Sequence, residues 1–145
     1  MMNINAIDRE LLNAEGKFEY TVEAGAVISP AHKYAYYDVA GTSTIFLGKD
    51  TDTAIRETGV FLIFQNEVDF WGVDVLIGGN VTAIYKFLGE DWGGQMGHVT
   101  GMFNTSQKTA FIKFEFTAFR NGLSKNVSGH FILTSSHLSS STDAV

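Results

Sequence analysis

The side chains of this sequence with most chemical capacity are four histidines, a group of central carboxylates and a surplus of amphipathic aromatics. His98 and His130 each fall inside a strand-like segment. On adjacent strands and facing the same way, they would form an acid–base or metal-binding pair. The spacing offers no third ligand, so no metal is assigned. His32 follows Pro30 in a turn and His137 lies in a serine-rich terminus, so both are read as surface residues. Glu57, Glu67, Asp69 and Asp74 gather in a central hairpin, with Glu67 and Asp69 on one face by alternation unless the chain turns between them. Paired carboxylates carry glycoside hydrolysis only within a deep sugar cleft, and here they read as a solvated hairpin end. Cysteine is absent, which excludes disulfides, thiolate ligands and thiol nucleophiles. Phosphate-cradling glycine loops, HExxH, calcium loops and the G-x-S-x-G elbow are absent as well. The glycine-rich run Gly89 to Gly94 opens no helix and reads as a turn.

The aromatic and sulfur-bearing residues are more informative. Tyr36, Phe64, Trp71, Tyr85, Phe87, Trp92, Met96, Met102 and Phe114 are spread over the middle and C-terminal half. In a small barrel, inward positions either fill the interior or line a cavity for one small ligand. Tyr and Trp join an apolar body to a polar tip, which suits an oily ligand carrying a few oxygens. Met96 and Met102 would act as adaptable filling. His98 and Gln65 are the polar contacts expected in such a cavity, with the Tyr85 hydroxyl beside them. Trp92, between glycines, is expected to cap the mouth.

The elements that must position these residues are strands. Phe18, Tyr20 and Val22 alternate with charged or polar residues, as do Ala110, Ile112, Phe114, Phe116 and Ala118. A period of two puts each set on one face of a half-buried antiparallel strand. Val60 to Phe64 is apolar on both faces, which requires either a subunit contact or a covered barrel wall. Glycines punctuate the chain into about eight strands, near 17–28, 33–40, 42–48, 55–67, 69–77, 81–88, 95–104 fused with 108–119, and 123–134. Charged residues are only 18% and aromatics 13%, so little charge is available to protect open sheet edges. The fold class is therefore all-β: an antiparallel, up-and-down β-barrel of about eight strands over 16–134. Residues 1–15 are an N-terminal helix or arm, since Ile4, Ile7 and Leu11 fall at helical spacing. Residues 135–145 read as a disordered tail. The net charge of −6 argues against a nucleic-acid partner. No apolar run is long enough to span a bilayer as a helix, so no membrane partner is expected and the expected location is cytoplasmic.

The stretch Gly94-Gln95-Met96-Gly97-His98-Val99-Thr100-Gly101-Met102-Phe103 resembles the glycine-punctuated strand of the allene oxide cyclase and dirigent-type barrels, whose pattern runs Gly-x-Tyr-x-Gly-x-x-Gly. Gly94 and Gly101 fit it. Met96 replaces the Tyr and His98 the middle Gly. Gly16-Lys17-Phe18-Glu19-Tyr20 is similar to first strands of that superfamily. The resemblance, closest to its bacterial spirotetronate cyclases, implies a homodimeric, cofactor-independent cyclase. Such an enzyme folds a linear polyketide in the barrel lumen for an intramolecular [4+2] cycloaddition. Positioning of the reacting ends and hydrogen bonds to a substrate carbonyl would supply the rate. A lipocalin-like carrier of a small hydrophobic ligand and an assembly domain with a filled barrel are the two other classes.

Overall fold

The computed structural model describes residues 12–37, 43–50, 56–65 and 69–135. Among these the chain forms nine strands: β1 (Leu12–Val22), β2 (His32–Tyr37), β3 (Ser43–Lys49), β4 (Gly59–Gln65), β5 (Asp69–Leu76), β6 (Val81–Phe87), β7 (Glu90–Asn104), β8 (Thr109–Arg120) and β9 (Leu123–Ser135). Every pairing is antiparallel. The pairings run β1–β2–β3–β4–β6–β7–β8–β9 and return to β1, closing an eight-stranded barrel. β5 is extra. It pairs with the Asn104 to His98 half of β7, while β6 takes the Glu90 to Gly93 half.

This agrees with the all-β barrel expected from alternation and corrects three details. The segments 95–104 and 108–119 are separate strands joined by a turn at 105–108, not one fused element. The up-and-down order fails at β4, whose neighbour is β6 rather than β5. Glu90 to Gly94 is the start of β7, hydrogen-bonded to β6 and β8, and not a turn. The actual β6–β7 turn is Leu88-Gly89, at φ 50° and 86°, and the β8–β9 turn is Asn121-Gly122, at φ 51° and 80°. Both have the two positive φ values of the tight hairpin turn whose twist matches that of strands. β1 begins at Leu12, inside the segment read as an arm. The rest of that arm, Glu67 and the residues after Ser135 lie outside the described residues.

Alternation places one set of side chains in the barrel, and there it is largely phenylalanine. Phe70, Phe64, Phe103, Phe46, Phe131 and Phe18 form a ladder with neighbouring centroids 4.9, 5.0, 5.4, 5.0 and 5.1 Å apart. Phe114 continues it from Phe18 and Phe131, and Tyr20 and Tyr85 carry it to the other end. Each buried ring contributes about 1.5–3 kcal/mol by leaving water, and tilted and edge-on contacts add about 0.5–1.5 kcal/mol per pair. Glycine permits the close approach of the long strands. A Cβ at Gly101, where φ is 148°, would overlap the carbonyl oxygen of Phe111 on β8.

Val60 to Phe64 is buried on both faces. Its outward residues Phe61 and Ile63 pack with Ile45 and Leu47 of β3 in a second cluster, flanked by Tyr34, Tyr36 and Ile84. The two-faced apolar run is thus a covered barrel wall.

Candidate functional site

The residues singled out from the sequence do not converge. Phe64, Tyr85, Trp92 and Phe114 point into the barrel and are buried among the ladder rings. Tyr36 packs on the outside, against the β3–β4 cluster. Gln65 is exposed at the end of β4, where its backbone N–H donates to the Asn80 carbonyl at 2.8 Å. Phe87 is partly exposed and stacks on Tyr85 at 6.1 Å. Trp71, Met96 and Met102 are exposed, so none of them fills a lumen. His98 is on the outer surface too. The reasons are local: β5 turns Trp71 outward from Phe70, and a bulge between Gln95 and His98 resets the parity of β7. Met96 occupies that bulge at φ 49°. Bulges of this kind re-aim side chains. Trp92 does not cap a mouth; its ring is a core element, with the Lys125 Nζ 5.3 Å from its centroid.

Three places carry polar chemistry. The first is one mouth of the barrel, where Tyr20 and Tyr85 end the ring ladder. The Tyr20 hydroxyl donates to Asp50 Oδ2 at 3.4 Å. Burial, reinforced by the Asp50 charge, pushes both tyrosine hydroxyls above their ordinary pKa. Burial likewise raises the Asp50 carboxyl above its usual 3.8, with the Tyr20 hydrogen bond opposing it. The site is a cluster of two tyrosine hydroxyls and a carboxyl at the edge of an apolar interior.

The second is a buried charge cluster beside the outer β3–β4 wall. Lys49 Nζ lies 2.8 Å from Glu57 Oε2, and Lys86 Nζ lies 3.1 Å from Glu57 Oε1. Lys49 and Lys86 also sit over the Tyr34 and Phe61 rings at 5.4 and 5.6 Å. Burial lowers the Lys86 pKa, but the Glu57 and Asp91 contacts outweigh it and leave the ammonium above its ordinary value. Every group here is engaged with another, which is the pattern of a seal over apolar side chains.

The third is the outer face of β5, β7, β8 and β9. Register places Trp71 opposite Met102, Met102 opposite Phe111 and Phe111 opposite Ile132. These four are 77, 48, 52 and 50% exposed. The next row along the strands reads Thr100, Lys113 and His130, and the one after it His98, Glu115 and Ser128. His98 Nε2 lies 3.6 Å from Asp74 Oδ1 and 4.0 Å from Glu115 Oε1. His130 Nε2 lies 3.9 Å from Glu19 Oε1 on β1. A groove of about 830 Å³ runs over this face between Val73, His98, Phe111, Lys113, His130 and Ile132. A second groove, of about 500 Å³, continues it past Glu115 and Ser128 toward Glu23 and Met96. Among the described residues, no three His, Cys, Asp or Glu side chains are arranged to hold a metal ion.

His98 and His130 do share a face on neighbouring parts of one sheet, as their strand placement allowed. They stand on β7 and β9 with β8 between them, each beside a carboxylate, and not as a mutual pair. Phe111 and Ile132 were missed because their alternation partners Ile112 and Phe131 already satisfied the core face. The signal was present: on β8 and β9, apolar residues occupy both parities at Phe111-Ile112 and Phe131-Ile132.

Comparison with family models, with curated proteins and with solved structures finds no match for this chain.

Proposed function

We propose that this chain is a binding module that works through its outer surface, presenting the face of β5, β7, β8 and β9 to a protein partner. One observation carries the reading: rings fill the barrel from end to end, while four large apolar side chains stand in a row outside it. Monomeric soluble proteins rarely leave a contiguous apolar patch uncovered, and an exposed one rimmed by polar groups marks an interaction site. Thr100, Lys113, His130 and Glu115 supply that rim.

A thermal-shift screen tests it. The native chain and the Trp71→Ser/Phe111→Ser double variant are exposed to polyenes, fatty acids and aromatic compounds. No compound is expected to raise Tm in both chains, because the ring ladder occupies the interior. A rise of several degrees that survives in the double variant would place a ligand in the lumen and overturn the reading.

A second reading rests on the mouth cluster. A cyclase of the kind implied by the allene oxide cyclase resemblance, acting on a linear polyene-type substrate, would use the Tyr85 hydroxyl to hydrogen-bond a substrate carbonyl at that mouth. Loss of the substrate's diene absorbance on mixing with the native chain, abolished by Tyr85→Phe, would favour it. Equal rates with and without protein would remove it.

A further inference from the structure

We infer that β5 is a docking edge, to which an extended, basic-flanked segment of another protein adds as a further strand. The inference rests on the interaction reading above and names the chemistry of the partner. Backbone groups carry it, together with a gradient of exposure across the sheet.

β5 is the extra strand of the barrel. It hydrogen-bonds to β7 on one side, and among the described residues no strand runs along its other side. In an antiparallel pair, every second residue turns its N–H and C=O away from the neighbouring strand. On β5 those outward groups have no partner among the described residues. Such an edge is a template for one kind of occupant, a second extended backbone.

The side chains locate the gap at the same place. Ile132, Phe111 and Met102 stand on strands with a neighbour on both sides, and they are 50, 52 and 48% exposed. Trp71 ends the same row at 77%, and Val73 on the same strand is 62% exposed. The deficit is therefore lateral. A body stacked above the sheet would leave it, whereas a strand alongside β5 closes it and sets its own side chain beside Trp71.

Edge strands are commonly blunted by Lys, by Pro or by a bulge. Asp69 to Leu76 contains no Lys, Arg or Pro, and the bulge at Asp74, with φ 50°, is its one device. Asp69 to Val73, ahead of that bulge, is left to pair over about 17 Å at about 3.4 Å per residue. Charge selects the partner. Glu67, Asp69 and Asp74 make residues 65–76 acidic with no basic residue among them. A segment with Lys or Arg at its ends complements that stretch, and a second β5 would set like charges together.

Fluorescence anisotropy tests this with a labelled peptide of alternating valine and threonine between lysines. The comparison is the same peptide N-methylated at two consecutive central residues, which removes a donor from each of its edges. The native chain is expected to bind the first peptide and to bind the N-methylated one at least tenfold more weakly. Val73→Lys, which places a cation on the edge, should weaken the first peptide at least tenfold with an unchanged circular dichroism spectrum. Equal binding of the two peptides would put the contact on side chains of the face, overturning strand addition while keeping the outer-face reading. Binding that Val73→Lys leaves unchanged uses another edge and also overturns it. No binding of either peptide up to ~1 mM overturns it too, and leaves the outer-face reading to the thermal-shift screen.

Discussion

The barrel has two outward-facing apolar surfaces, and they end differently. On β3 and β4, Ile45, Leu47, Phe61 and Ile63 point away from the lumen yet are buried. Lys49, Glu57 and Lys86 border them with a network of opposite charges. On β5, β7, β8 and β9, Trp71, Met102, Phe111 and Ile132 also point away from the lumen and remain about half exposed or more. Their polar neighbours are spread across strands in histidine–carboxylate contacts at 3.6 to 4.0 Å, all of them partly exposed. The first face stabilises the monomer. The second leaves apolar surface in water, an exposure that the proposed partner would remove.

The difference can be broken most forcefully at Glu57. Glu57→Ala leaves two largely buried ammoniums without this carboxylate and should cost about 3–5 kcal/mol in urea unfolding. A loss near that of an exposed ion pair, below about 1 kcal/mol, would mean that the charge network does not seal the β3–β4 face. The Lys86 shift gives the same test a pH signature. Its folded pKa is raised, so its contribution is complete below the ordinary 10.5 and fades as pH rises through the folded value. The alkaline loss of stability should therefore begin above 10.5 in the native chain and be diminished in Glu57→Ala.

A paired substitution compares the two faces directly. Leu47→Ala removes a buried aliphatic and should cost about 2–5 kcal/mol. Phe111→Ser, measured in dilute solution, should cost monomer stability only about 1 kcal/mol, because about half of the ring is already in water. Equal costs would erase the distinction between covered and open faces.

The smallest effect is expected at the mouth, which belongs to neither face. Burial raises the Asp50 carboxyl, so the folded chain holds that proton more tightly than the unfolded chain does. Stability from this group is intact below its ordinary 3.8 and declines as pH rises through the folded value. Asp50→Asn should accordingly raise Tm slightly at neutral pH, with the gain vanishing in acid. A variant less stable at neutral pH would show that the Tyr20 hydrogen bond outweighs the burial.

Much of the fold was legible because alternation is a local signal. Phe18-Glu19-Tyr20 and Ile112-Lys113-Phe114 declare both their strand and its buried face, and Asn121-Gly122 fixes a hairpin turn. Closure of the sheet was legible less directly, through scarce charge and long strands. Bulges were not legible. Met96 and Asp74, both at positive φ, each shift a register by which neighbouring residues change faces, and nothing in their residue types announces it. That is why His98, Trp71 and Met102, expected to be drawn together in a lumen, stand outside.

By itself, then, the sequence determined an all-β chain with more apolar surface than one barrel interior needs, since alternation and composition are properties of neighbouring residues. The tertiary structure alone decided where the surplus went. Whether a ring fills the lumen, lies under a charge network or stands in solvent depends on strand order, register and closure. Those are set by contacts between residues far apart in the chain, such as Phe18 with Phe131 and Trp71 with Met102.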